Sequence, residues 1–320
     1  MLFSFEILPK GSMNLTAFLL VVMGALCIAL LNVFSKQALN RGWEKFPALF
    51  TAFTRFLAVG FMFLFIPFVG GLELQSGWWI AVLITGALNI GIQFADVKAK
   101  SLEDVSLVSP ISATTPVLLI FTSMLLLHEY PSFLGWVGVW VLVIGTYVLN
   151  MQAYAEKQKE LNRRVSWKVW FAPFFLLTKS TGIRFAFLSA FLATFSLNFD
   201  AMAYRSGNVM LAGACIFLIV AIANFILGSS IGELKSLRRD RSHLKIWSLV
   251  WIGLVLCLAI LFSNLAFLYT ITPYVGTLRR IQIPFTIILA YFLVGERVNF
   301  RHRLVGGSIM ALGAILIALS

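Results

Sequence analysis

The chain has 320 residues, 60% of them hydrophobic and only 12% charged, with a mean hydropathy of +0.93. That balance excludes an ordinary soluble domain. The net charge of +12 does not point to nucleic acid, because lysines and arginines are confined to short stretches between long apolar runs, as in loops held at an anionic membrane face.

Apolar runs of about twenty residues, enough for a helix to cross the hydrocarbon layer, recur along the whole length. They are continuous rather than alternating, which predicts spanning helices and not a β-barrel. Residues 1–13 carry no clear role, and Met13 is a candidate alternative start. Span 1 is expected over residues 15–36 and, lacking a cleavage site, is read as retained. Span 2 follows over 47–69, with Thr51 and Arg55 one turn apart, and span 3 over 78–97. Span 3 carries Asn89, Gln93 and Asp96 on one face. Span 4, over 105–127, is interrupted by Pro110 and Pro116, and span 5 covers 133–151. A basic linker, 152–182, contains an aromatic stretch over 165–177, too short to span and expected to lie on the membrane surface. Spans 6 to 10 are expected over 183–204, 209–231, 246–270, 273–294 and 303–319.

This predicts an all-α integral membrane protein of ten transmembrane helices. The chain also looks duplicated. Pro116 answers Pro284, Glu129 answers Glu296, and Gly138/Gly145 answer Gly306/Gly313 at the same spacing. Five spans per half, an odd number, turns the halves upside down relative to each other, so residues 1–151 and 183–320 form a 5+5 inverted-topology repeat with the substrate site expected at their interface. Twenty lysines and arginines follow odd-numbered spans, against Lys10 and Arg205 on the other side. The positive-inside rule then puts the odd loops in the cytoplasm and both termini outside. The paired glycines predict close helix packing, within a monomer or across a homodimer.

An ionisable side chain at the centre of a span costs at least ~2.5 kcal/mol and marks a functional candidate. Arg279 and Arg280 stand in span 9, pointing about 100° apart, with Gln282 and Thr286 on the face of Arg279. Arg55, Arg279 and Arg280 outnumber Asp96 and Asp200, which leans towards an anionic or zwitterionic substrate. The substrate-binding candidates are Arg279, Arg55, Arg280, Gln282, Asn264, Gln93, Asn89 and Lys36. Asp200 and Asp96 are read as candidate charge partners or coupling carboxylates, Asp200 facing the arginines and Asp96 having the alternative of neutralising Lys100. Glu129 and Glu296, at span ends, are read as structural. Cys27, Cys215 and Cys257 read as buried apolar residues, and no cofactor or metal motif stands out among the cysteines and histidines.

The stretch SLEDVSLVSPISATTPVLLIFTSMLLLHEYPS with Gly138 and Gly145, and its echo TPYVGTLRRIQIPFTIILAYFLVGE, resemble the EamA-type repeat of the drug/metabolite transporter superfamily. Lys36 and Arg55 also fall where that family commonly has a Lys and an Arg. The resemblance covers about residues 15–150 and 180–319. It departs where His128-Glu129 replaces Gly-Glu and where the loop after span 2 is acidic. It implies secondary transport of a small metabolite, such as an amino acid, by alternating access in a bacterial inner membrane. Protons or sodium are the candidate coupling ions, and no ATP-binding loop of the GxxxxGK type is present. The alternatives are an exporter of hydrophobic or cationic compounds and a membrane enzyme on lipid-linked substrates. The scarcity of His, Asp and Ser constellations in the loops argues against an enzyme.

Overall fold

The computed structural model describes residues 13–69, 71, 73–160, 171–239, 246–293 and 300–320. The described residues form helices and no strand: α1 (Leu15–Leu39), α2 (Pro47–Phe65), α3 (Trp78–Leu102), α4 (Val105–Ser112), α5 (Thr115–Leu126), α6 (Phe133–Glu160), α7 (Ala172–Leu176), α8 (Thr181–Arg205), α9 (Val209–Ser230), α10 (Glu233–Arg239), α11 (Ile246–Leu265), α12 (Thr272–Leu278), α13 (Gln282–Leu293) and α14 (Phe300–Ala318). Short 3-10 turns occupy Trp43–Lys45, Ile66–Phe68, Ala266–Leu268 and Arg279–Ile281.

Eight stretches among the described residues are long and apolar enough to cross a membrane. They correspond to spans 1 to 8. The remaining two expected spans differ: Val305–Ala318 is a shorter apolar helix, and span 9 is split into α12 and α13. Span 4 is likewise split, into α4 and α5. Span 5 runs on to Glu160, so the expected boundary at residue 151 lies inside α6. Of the surface stretch 165–177, residues 171–177 are described, with α7 a single short helix, and the rest lies outside the described residues. Glu296 also lies outside them.

Helix starts follow local chemistry. The Asn14 side chain accepts from the Thr16 N–H at 3.0 Å, Ser180 Oγ from Ile183 at 3.2 Å, and Asn208 Oδ1 from Met210 and Leu211 at 2.9 and 3.1 Å. These side chains serve the first N–H groups, which have no partner within the helix. Pro47, Pro116 and Pro273 sit in first turns, where a missing N–H costs nothing.

The main partner of each long first-half helix lies in the second half. α1 packs on α11, α2 on α9, α3 on α8, and α6 on α14, while α4 and α5 pack on α8 and α13 on α1. The core therefore forms between the halves rather than within each. Small residues allow the α6–α14 approach, and the two glycine pairs seen in the sequence meet there, inside one chain. A Cβ at Gly313 would stand 2.5 Å from the Leu142 nitrogen and 2.8 Å from the Gly138 oxygen, and one at Gly145 would stand 2.7 Å from the Met310 nitrogen. Backbone is met on both sides, so no side chain can swing away to make room.

Gly313→Ala is expected to destabilise the protein by about 1–3 kcal/mol, the usual cost of overpacking. Its melting temperature in detergent should fall clearly. Gly60→Ala, where a Cβ meets nothing within 4 Å, should leave the melting temperature nearly unchanged.

Candidate functional site

In hydrocarbon every backbone polar group needs a protein partner. Proline has no N–H, so Pro116 leaves the Ser112 carbonyl, four residues earlier, without its helical donor. The helix stops at Ser112 and resumes at Thr115. Pro284 does the same to the Arg280 carbonyl, and the chain there winds through the Arg279–Ile281 turn between α12 and α13. The Gln282 N–H turns back to the Arg279 and Arg280 carbonyls. Arg280 then joins the two breaks, its Nη2 donating to the Ser112 oxygen at 2.9 Å. A guanidinium from one broken helix replaces the donor missing in the other.

Arg279 takes a different direction, as expected of a neighbouring residue. Its Nη2 donates to the Ser263 oxygen at 3.1 Å and to Asn264 Oδ1 at 2.6 Å. Its guanidinium carbon lies 4.9 Å from the Phe267 ring centroid, a cation–π distance. Its Nε is buried without a partner. Arg279 is therefore anchored by neutral groups on the α11 side, with donor capacity left over.

Asp200 belongs to the same cluster. Thr85 Oγ1 donates to Asp200 Oδ1 at 2.5 Å and shares a 2.9 Å hydrogen bond with Ser196 Oγ. Asn89 Nδ2 donates to Ser196 Oγ at 3.1 Å and to the Thr85 oxygen at 2.9 Å. Asp200 makes no direct ion pair with either arginine, contrary to the simplest expectation, yet it interacts electrostatically with Arg279. Tyr204, 2% exposed, lies beside Asp200, Arg279 and Asn264. A polar network thus runs from α3 through α8 and α11 to the break in span 9.

Arg279, Asn264, Asn89 and Asp200, singled out from the sequence, come together here. Arg280 stands at the adjoining break. Arg55 lies on α2, 5.8 Å from the Phe217 ring centroid, with a long 3.4 Å contact to the Thr51 oxygen and its Nε unpartnered. The Gln282 Oε1 is buried and unpartnered, but Thr286 turns to α1, where Asn32 Nδ2 reaches its hydroxyl at 3.3 Å. Gln93 accepts from Asn224 at 2.8 Å, a bond between α3 and α9. Lys36 is exposed near the end of α1. Asp96 pairs with Lys100 at 2.6 Å, its charge met on its own helix. Thr85, Ser196 and Tyr204 were missed by the sequence reading. Ser196, Asp200 and Tyr204 recur every four residues, and Thr85 stands four before Asn89, so helical spacing could have found them.

A second buried charge site closes one end of the bundle. Arg205 Nη1 lies 2.6 Å from Glu129 Oε1, with side chains 12% and 7% exposed. Glu129 Oε2 accepts the Thr272 N–H at 2.8 Å, and Arg205 also donates to the Phe267 and Thr270 oxygens at 2.8 and 3.0 Å. His128, at φ 54°, turns the chain out of α5 just before Glu129. Span ends 4, 6 and 8 and the start of span 9 are held at one point. Among the described residues no three His, Cys, Asp or Glu side chains gather as a metal site.

Membrane-length helices around a buried polar network make this an integral membrane protein. Residues 15–151 match the model of the EamA-like transporter family, of the drug/metabolite transporter superfamily. Twenty-two chains of solved structures match this protein. One, described only as the crystal structure of a protein, superposes with a TM-score of 0.67 over 94% of this chain and 95% of its own, at 14% identity; that likeness establishes the fold alone. No curated protein matches the sequence.

Removing one partner of a buried ion pair strands the other and typically costs about 3–5 kcal/mol. Arg205→Met should accordingly lower the melting temperature in detergent sharply. The Glu129→Gln/Arg205→Met double variant should recover part of that loss, because no charge is left unmatched. Equal melting temperatures for the single variant and the wild type would show that the pair contributes nothing.

Proposed function

We propose that the protein is a secondary transporter of a small anionic or zwitterionic organic metabolite, an amino acid being a representative case. Ten spans, arranged as two inverted halves of five, would carry it through alternating access in a bacterial inner membrane, with both termini outside. The packing pattern supports the repeat. Exchanging span 1 for 6, 2 for 7, and so on, turns α1 on α11 into α8 on α3, and α1 on α13 into α8 on α4–α5, while α2 on α9 and α6 on α14 map onto themselves. The breaks in spans 4 and 9 exchange as well.

The observation that carries the substrate charge is Arg279. It is held deep in the bundle by a carbonyl, an amide and a ring, and its donors are not used up by a carboxylate. The helices resuming at Thr115 and Gln282 present their N-termini at the two joined breaks, where aligned peptide dipoles favour negative charge. Arg55 is a second cation with spare donors. Asp200, in the same network, is the candidate coupling carboxylate, with protons or sodium as the coupling ion.

A second reading, export of hydrophobic or cationic compounds, draws on a groove of ≈ 220 Å³ between α13 and α14. It is lined by Ile281, Pro284, Phe285, Ile287, Ile288, Gly307, Ser308 and Ala311, and it carries no charge. An apolar ligand would fit it better than an anion.

A melting-temperature screen of the purified protein against amino acids, nucleotides, sugar phosphates and organic cations separates the two readings. A ligand at a hundred times its Kd stabilises the folded state by about 2.7 kcal/mol. An anionic or zwitterionic compound should raise the melting temperature of the wild type, and the rise should vanish in Arg279→Ala. A cationic compound whose effect survives that substitution would overturn the anionic reading.

A further inference from the structure

We propose that the Glu129–Arg205 pair is a gate, a latch between the two halves that shuts one end of the path to Arg279 and parts when that end opens. The inference rests on the transport reading above and adds to it the place where the molecule opens.

The pair joins elements that alternating access has to separate. Glu129 follows span 4, in the first half of the chain. Arg205 ends α8, and Phe267, Thr270 and Thr272, which share in the bonding, lead from α11 into α12, all in the second half. Ser132 adds a second tie across the halves, its N–H donating to the Tyr274 hydroxyl at 3.0 Å. The position of the pair makes it reversible. A pair parted at midspan would leave each charge in hydrocarbon, at a cost of several kcal/mol. At a span end each partner meets water as soon as the halves move, and Tyr130, next to Glu129, is already 58% exposed. The 2.6 Å contact is thus strong while buried and readily released once wetted.

Span 9 shows which end is shut. Every residue of α12 is buried, whereas α13 has no buried residue. Asn32, which reaches Thr286 of α13, is exposed as well. One broken span is packed tightly on the gate side of Arg279 and loosely on the other. The gate and the site also share residues. Arg205 Nε donates to the Phe267 oxygen at 2.8 Å, and the ring of the same Phe267 lies 4.9 Å from the Arg279 guanidinium carbon. Tyr204, the neighbour of Arg205, lies beside Asp200 and Arg279, with its ring 5.7 Å from that of Phe267. An anion drawn to Arg279 therefore acts on the two residues that position Arg205.

The test needs no substrate. In the full-length protein with Cys27, Cys215 and Cys257 replaced by alanine, Thr277→Cys reports on the path. Thr277 is buried with its hydroxyl unpartnered, two residues before Arg279. Tyr130→Cys marks the gate face, and a membrane-impermeant maleimide is applied to vesicles of either orientation. With the pair intact, Thr277→Cys should resist labelling from the face that Tyr130→Cys marks. Arg205→Glu, which sets two carboxylates against each other, should raise that labelling rate roughly tenfold or more, the low end of the coupling between close charge pairs. Glu129→Lys/Arg205→Glu, which restores opposite charges, should bring the rate down again. Glu129→Gln removes the charge but keeps an oxygen for the Thr272 N–H, and it should act like Arg205→Glu even if the reversed variant does not fold. Gly313→Ala, which loosens the α6–α14 contact instead, should leave the rate unchanged. The proposal fails if Thr277→Cys is labelled from that face as fast with the pair as without it. It also fails if Gly313→Ala raises labelling as much, since the pair would then only add stability. A ligand found in the melting-temperature screen together with unchanged labelling overturns the gate and leaves the transport reading standing. Gated labelling with no ligand found overturns the transport reading and leaves a gated water path.

Discussion

Inside the hydrocarbon a carbonyl without a donor has no water to turn to, and this molecule creates such carbonyls deliberately. Pro116 and Pro284 each remove one rung from a membrane-buried helix. The cost of an orphaned carbonyl at that depth is several kcal/mol, so the breaks survive only because something else supplies the donor. Arg280 does so for Ser112 across 2.9 Å. Its presence explains why two interrupted helices, far apart in the chain, lie side by side, and it places the start of α5 near the start of α13. Arg279, next in the chain, carries the polar network of Asn264 and Asp200 up to that junction.

The charges divide into two kinds. Some are neutralised where they stand: Asp96 by Lys100 one turn on, at the rim, and Glu129 by Arg205 at the closed end. Arg279, Arg280 and Arg55 are held differently, by carbonyls, amides and rings. Such partners satisfy hydrogen bonds without cancelling charge, so a positive potential persists in a low-dielectric interior where it acts strongly. Asp200 is near enough to temper that potential and bonds to a hydroxyl rather than to a guanidinium. The two ends of the bundle contrast in the same way. One is sealed by a buried pair that ties four span ends together, and the other is a rim of exposed cations in which Glu233 is spent on a helix cap.

Much of this was legible in the chain. Span positions follow from runs of apolar residues, because the thickness of hydrocarbon sets helix length. The prolines announced the breaks, since a missing N–H is a local property, and the midspan arginines announced a polar interior through their transfer cost. The glycine pairs announced a close contact but not its partner. Thr85, Ser196 and Tyr204 went unremarked because a hydroxyl in a membrane helix can bond to its own backbone, as Thr54 does to Phe50, so its residue type alone signals little.

What the sequence determined by itself was eight of the ten expected membrane-length helices, the prolines at which spans 4 and 9 break, and which ionisable side chains are costly to bury there. Each of these depends on one residue and its near neighbours along the chain. Only the tertiary structure decided that Arg280 serves Ser112 rather than Asp200, that Arg279 faces Asn264 and Phe267, and that Gly138 and Gly145 meet Gly313 and Gly306. Those outcomes depend on which helices pack together. Between apolar helices in a bilayer that choice is made by shape and by a few hydrogen bonds, and neither can be read from one helix alone.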